Sequence, residues 1–193
     1  EIKGKTYPWV SRGGIKLEKA ILEFKLNCDL IIALDIGAST GGFTDVLLAR
    51  GAKKIYAVDV GYGQLDWRLR QNERVIVKEK TNARFLTDQI IKDPLDAIVC
   101  DASFISLKKV LPSGLSLLKT KGWLAALIKP QFEVGKGLVG KGGVVRDQEL
   151  HQEVVADIKN WLQHDMNMYL SGVVESPILG PSGNKEFVIV ANK

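Results

Sequence analysis

Cysteine and histidine are scarce in this chain, with two of each among 193 residues. Cys28 and Cys100 both border apolar runs. Two thiols make no disulfide framework or zinc cluster, so no metal is expected and a reducing, cytoplasmic compartment is implied. His151 and His164 fall in one helical segment and read as surface residues, not ligands. No apolar run approaches the roughly 20 residues a bilayer span requires. No basic-then-apolar segment opens the chain as a secretion signal would. A membrane partner is therefore not expected. Internal repeats and low-complexity tracts are absent as well.

What is present describes one folded domain. Hydrophobic residues make up 46% and charged residues 25%, ordinary globular values. The length suffices for one well-buried core and not for two. The net charge of +5 is compatible with a polyanionic partner. Short β-branched runs at 30–34, 54–58, 75–78, 97–100, 123–128, 169–175 and 187–191 alternate with segments of helical period at 15–24, 43–50, 64–71, 83–91, 107–118 and 148–164. That alternation predicts an α/β domain with a mostly parallel seven-stranded sheet and helices on both faces. Between the last two runs lies "SPILGPSGNKE", with no room for a helix, so the final strand is expected to be antiparallel. Asp147 stands where a helix N-cap belongs. The opening stretch "EIKGKTYPWVSRGG" reads as a polar linker, which puts a linker at 1–13 and the domain at 14–193.

The stretch "LDIGASTGGFTDVLLARGAKKIYAVDV" carries the first chemical signal. A strand-like run ends at Asp35, a turn with Gly37, Gly41 and Gly42 leads into a helix, and the next strand ends at Asp59. Such a turn lets backbone approach a ligand, with free helix N–H groups aimed at it. The dinucleotide fingerprint G-x-G-x-x-G wants glycine where Ser39 stands. Asp59 is placed to accept bonds from ribose hydroxyls, and Asp35 to face a cationic part of the ligand. A ribose with a positive centre and no phosphate describes S-adenosylmethionine. The alternative is that the glycines serve packing alone.

Downstream, "GKGLVGKG" at 135–142 nearly spells a phosphate loop, but Gly142 replaces the metal-binding hydroxyl. A basic flap containing Lys136, Lys141 and Arg146 suits a phosphate backbone better than ATP. A plain solvated loop is the other reading.

Four charged residues sit where apolar runs begin or end. Asp101 follows "AIVC", Lys129 follows "AALI", Lys16 lies one position off the apolar stripe of the first helix, and Glu186 precedes "FVIVA". In open α/β sheets the ligand crevice lies at the carboxyl ends of the parallel strands, where Asp101 and Lys129 belong. Singly, Lys16 reads as a solvated helix residue and Glu186 as a strand-edge charge.

Taken together, "SRGGIKLEKA", "DASFIS", "IKPQFE" and "NKEFVIVA" give the order Lys–Asp–Lys–Glu. This resembles the catalytic tetrad of FtsJ-like ribose 2′-O-methyltransferases. The wider wording, with "GKGGVVRD" and "GPSGNKEFVIV", is similar to the TlyA (hemolysin A) family of ribosomal RNA methyltransferases along nearly the whole chain. The resemblance implies a Rossmann-like class I methyltransferase fold and transfer of methyl from S-adenosylmethionine to a ribose 2′-hydroxyl, of cytidine, in ribosomal RNA. It assigns Lys16, Asp101, Lys129 and Glu186 to catalysis. It assigns Asp35, Gly37, Ser39, Gly41, Gly42, Phe43, Asp59, Asn82 and Asp101 to the cofactor. Arg12 joins Lys136, Lys141 and Arg146 as RNA contacts. Family members carry an S4-type RNA-binding domain ahead of the methyltransferase, and the stretch with Lys3, Lys5, Tyr7, Trp9 and Arg12 resembles the linker between the two. Ribosomal RNA or a ribosomal subunit is the implied partner, with no stable protein partner. Three rivals stand beside this reading: a nicotinamide-dependent oxidoreductase, a membrane-lytic hemolysin, and an RNA-binding module with weak or lost catalysis.

Overall fold

The computed structural model describes residues 7–193, the side chain of Lys136 excepted. Seven β-branched runs bounded by turns become strands of one sheet: β1 Ile32–Ile36, β2 Lys54–Val58, β3 Val75–Lys78, β4 Leu95–Cys100, β5 Leu118–Ile128, β6 Tyr169–Glu175 and β7 Phe187–Asn192. Their order is β3-β2-β1-β4-β5-β7-β6. The first five pair in parallel, whereas β7 runs antiparallel to both β5 and β6. The expected hairpin is present, and its returning strand slots inside the sheet next to β5.

The helices are α1 Gly13–Phe24, α2 Gly42–Ala49, α3 Trp67–Arg70, α4 Leu107–Val110, α5 Pro112–Ser116, α6 Pro130–Glu133 and α7 Gln148–His164. Leu17 of α1 and Val46 of α2 pack on the sheet face formed by Ala33, Ala57, Ala97 and Ala125. Leu111, Leu115 and Ile158 pack on the other face, against Leu34, Ile36, Ile98 and Leu124. Small residues on the first face let α1 and α2 lie close to the strands. Both helices start at the edge where the parallel strands end, which is what brings α1 to the site.

Several sequence expectations shift for identifiable reasons. The first strand begins at Ile32, not Leu30, because Leu30 turns through a left-handed φ of 58° and donates its N–H to Gly51. The expected helix 107–118 breaks at Leu111, since Pro112 has no N–H and opens a new helix at its first position. Leu118 instead begins β5. Segment 83–91 keeps a single 3₁₀ turn, Ala83–Phe85, and 64–71 contracts to α3, capped by the Asp66 carboxylate. Asp147 caps α7 as expected, accepting the Glu149 N–H at 2.8 Å.

The histidine reading is corrected in one case. His151 is buried, its Nε2 2.9 Å from the Val145 carbonyl and its ring edge-on to Phe187. Both cysteines are buried and unpaired. Burial pushes the Cys28 thiol up to about 11 and that of Cys100 to about 12, which removes thiolate reactivity. Trp9, which the sequence leaves open between a linker residue and one that packs on the domain, packs into the core. It lies so close over Gly14 that a Cβ there would meet the Trp9 ring atom Cγ at 2.4 Å, and its indole N–H reaches Glu18.

Candidate active site

The sheet topology explains how residues 170 positions apart meet. Asp101 follows β4 and Lys129 follows β5, at the carboxyl edge of the parallel strands. Pro130 keeps Lys129 extended, with φ −115° and ψ 99°, and, having no N–H to donate, ends the strand and opens α6 at its first position. Because β7 is antiparallel, its beginning lies at that same edge, with Phe187 paired to Ile128. Glu186 therefore arrives beside Lys129. Lys16 comes from the first turns of α1, on the face that is buried with Leu17 and Ala20.

The four charges form an alternating chain. Glu186 Oε2 is 2.6 Å from Lys16 Nζ, which lies 3.9 Å from Asp101 Oδ2, and Asp101 Oδ1 is 2.6 Å from Lys129 Nζ. Lys129 also donates to Ser103 Oγ at 2.8 Å and to the Asp101 carbonyl at 3.2 Å. Lys16 and Lys129 are each 6% exposed and Glu186 1%. Charges so far from water persist only when opposite charges and hydrogen bonds surround them. All four line one cavity of about 660 Å³, together with Gly37, Ser39, Gly42, Phe43 and Phe104.

The glycine turn forms one wall of this cavity. Gly37 adopts φ 78° and a Cβ on it would lie 2.9 Å from Ala102 Cα, so the turn abuts the Asp101 backbone. Gly41 and Gly42 are demanded by packing too, against Leu69 and Ser11 respectively. Ser39 itself turns through φ 48°, and its N–H donates to Asp59 Oδ2 at 2.8 Å. Asp59 Oδ1 accepts from Gly61 at 2.7 Å, so its carboxylate is held rigidly. Asp59 lines a separate small hollow beyond Ser39, with Gly61 and Gln64. Asn82 is exposed, caps the N–H of Arg84, and borders neither hollow.

Asp35 does not face the cavity. It lies fully buried beneath the turn and accepts the Thr44 hydroxyl at 2.7 Å, while its Oδ1 has no hydrogen-bond partner. Burial, aided by nearby Asp101 and Asp59 and opposed by Thr44, pushes its carboxyl up to about 7. The fold therefore holds a proton that the unfolded chain releases near its ordinary value of 3.8. The contribution of this group to stability is then fully present below pH ~4, declines as pH rises to about 7, and is level above that. Asp35→Asn removes the decline. Its melting temperature should exceed that of the parent at pH 8 and match it near pH 4. Equal melting at pH 8 would contradict this assignment.

The residues present fit S-adenosylmethionine. The turn offers backbone and the Asp59 carboxylate but carries no basic side chain, and Ser39 occupies the place a pyrophosphate-binding glycine would take. Such a lining accommodates hydroxyls and a positive centre better than phosphates.

On the outer side, the structure adds residues that the sequence reading passed over. Phe104 has a left-handed φ of 64°, is 89% exposed at the cavity mouth, and lies 5.0 Å from the Phe132 ring. A large apolar ring in that backbone conformation and in water is unfavourable on both counts. The only sequence cue was an aromatic inside "DASFIS". Arg12 donates to the Leu179 carbonyl at 3.0 Å, bridging the two ends of the chain. The 135–142 stretch makes one 3₁₀ turn, Lys136–Leu138, and a bridge between Gly140 and Val144, with no helix at its end. Lys141 and Arg146 are exposed and make no ion pair among the described residues. The Lys136 side chain, Lys3 and Lys5 lie outside the described residues.

Comparison with known proteins agrees with this architecture. The chain is 49% identical over 181 residues to the Mycobacterium tuberculosis 16S/23S rRNA (cytidine-2′-O)-methyltransferase TlyA, covering 94% of this chain and 67% of that protein. A solved Lactococcus lactis protein named as a hemolysin superposes with a TM-score of 0.92 at 44% identity, over 96% of this chain and 88% of the other. Aeropyrum pernix fibrillarin, solved with S-adenosyl-L-methionine, shares the fold at a TM-score of 0.61 and 17% identity, over 93% of this chain and 74% of that one. The family model described as FtsJ-like methyltransferase matches residues 9–193. With that match and these four charges gathered at the mouth of a glycine turn, the chain belongs to the FtsJ-like methyltransferases.

Proposed function

We propose that the domain transfers a methyl group from S-adenosylmethionine to a ribose 2′-hydroxyl of ribosomal RNA, with cytidine as the target nucleoside. The observation that carries the proposal is the Glu186–Lys16–Asp101–Lys129 chain lining the same cavity as the glycine turn. When bound, the cofactor supplies a methyl group made electrophilic by a positive sulfur. The protein's task is to orient and deprotonate the hydroxyl. Lys129 Nζ takes the proton as a general base if it is neutral, or, if charged, offsets the charge growing on the oxygen. Asp101, at 2.6 Å, fixes its direction. Lys16 and Glu186 position the ribose from the other side.

Phe104 provides a face on which the target base can stack. Its replacement by alanine should raise KM for RNA roughly tenfold while leaving cofactor affinity unchanged, and Phe104→Trp should restore it. Steady-state kinetics would decide; an unaltered KM removes Phe104 from the substrate site. Arg12 and the flap cations Lys136, Lys141 and Arg146 contact the phosphate backbone, and a preceding S4-type module adds affinity for structured RNA. Acting on ribosomal RNA, the protein works in the cytoplasm and needs no stable protein partner.

The test is a map of 2′-O-methyl groups on ribosomes from cells with and without the gene. The expected result is a cytidine methylated only when the gene is present. Identical maps would reject the proposal. The membrane-lytic reading draws no support from the fold, since no helix among the described residues is long and apolar enough to cross a membrane.

A further inference from the structure

Asn184 lines the cavity that holds the four charges but forms none of their ion pairs; it is 1% exposed and lies two residues before Glu186. Both ends of its amide are engaged with the glycine-rich flap. Its Oδ1 accepts the Val145 N–H at 2.9 Å, and its Nδ2 donates to the Gly143 carbonyl at 2.9 Å. The two partners fix the amide's orientation, because one is a donor and the other an acceptor. Val145 is itself buried, and its carbonyl meets His151 Nε2.

On the other side, the Asn184 carbonyl accepts the Gly180 N–H at 2.9 Å, and Arg12 donates to neighbouring Leu179. Gly142 and Gly143, both at φ 77°, have open space where a Cβ would stand. The flap tip closes on itself, with the Gly140 N–H donating to the Val144 carbonyl at 3.1 Å and the Gly143 N–H to the Gly140 carbonyl at 3.0 Å, and the Asn184 amide is what ties this small turn to the loop before Glu186. Without a fastening, such a segment samples many conformations, and its cations with it.

We infer that Asn184 is a positioning residue that fastens the flap bearing Lys141 and Arg146 to the loop leading into Glu186. The inference rests on the RNA-methylation reading. It adds that the spacing between the flap cations, which take the phosphate backbone, and the buried charges, which take the ribose, is set by one amide. Loss of the fastening weakens substrate binding and leaves the chemical step and the cofactor site as they were.

The test uses Asn184→Ala and the equal-sized Asn184→Asp. The carboxylate can still accept from Val145 but has no proton for the Gly143 carbonyl. In both variants, amides of 140–146 should exchange with solvent at least tenfold faster than in the parent. KM for unmethylated ribosomal subunits should rise roughly tenfold, kcat should stay within about twofold, and S-adenosylmethionine affinity should hold. Parent-like flap exchange in both variants, or a fall in kcat at constant KM, overturns the inference. If the parent chain transfers no methyl to RNA, the functional reading fails by itself. The exchange arm then still decides the fastening, with faster flap exchange supporting it and unchanged exchange rejecting it.

Discussion

Lys129→Ala should lower methyl transfer by roughly 10²–10⁴-fold while S-adenosylmethionine still binds, as read by calorimetry. A ribose hydroxyl is far too weak an acid to ionise at neutral pH, so the protein has to take its proton or offset the charge that forms. Lys129 is the cation held by three oxygens at the end of β5, within 3.2 Å of each. The arginine variant separates the two roles. Arg keeps the charge but stays protonated at any working pH. If Lys129 acts as a base, Lys129→Arg is as inactive as the alanine variant. If it acts by electrostatic stabilisation, Lys129→Arg retains a measurable share of the rate. An alanine variant with parent-like turnover would remove Lys129 from the chemistry altogether.

Asp101→Ala is expected to damage both activity and stability. Among the described residues its carboxylate is the only group paired with both Lys129 Nζ, at 2.6 Å, and Lys16 Nζ, at 3.9 Å. Its removal leaves two shielded ammonium groups facing one another, with Glu186 neutralising only one of them. Breaking a buried ion pair by removing one partner costs about 3–5 kcal/mol; the Asp101 side chain is 21% exposed, which places the expected loss at or below the lower end, about 3 kcal/mol. Denaturant unfolding would show a reduced midpoint with an unchanged slope, and methyl transfer would fall with it. Asp101→Ala combined with Lys129→Met should regain part of the stability, because the uncompensated charge is gone, and none of the activity. A single Asp101→Ala variant as stable as the parent would show that the network carries no such coupling.

How much of this was legible in the sequence differs from element to element. The central strands announced themselves because strands buried on both faces read as unbroken apolar runs, as with "AIVC" and "AALI". Asp101 and Lys129 stood out because charges directly beside such runs have to be explained by partners, whereas Lys16 and Glu186 read singly as a solvated helix residue and a strand-edge charge and joined them only through the resemblance to the FtsJ-like pattern. The helix at 107–118 was misread because apolar period outweighed Pro112, which in fact divides it. Asp35 was placed toward the ligand from its position at a strand end. Sequence alone does not say which face of the sheet a strand-end side chain takes, and in the fold it lies under the turn against Thr44. Trp9 was grouped with the linker stretch, and whether it packs on the domain was open because its partner, Gly14, is legible only as a space. Phe104 and Asn184 went unnoticed for a related reason. One is marked by a backbone angle and the other by two hydrogen bonds to a segment some 40 residues away.

The most direct measurement incubates the purified protein with unmethylated ribosomal RNA and S-adenosylmethionine labelled in its methyl group, then hydrolyses the RNA with alkali. A methyl on the 2′-oxygen blocks cleavage at that nucleotide, so the label should appear in an alkali-resistant dinucleotide whose 5′ member is cytidine. Label recovered in mononucleotides would mean that a base is methylated. No label in RNA from a protein that binds the cofactor would likewise contradict the account.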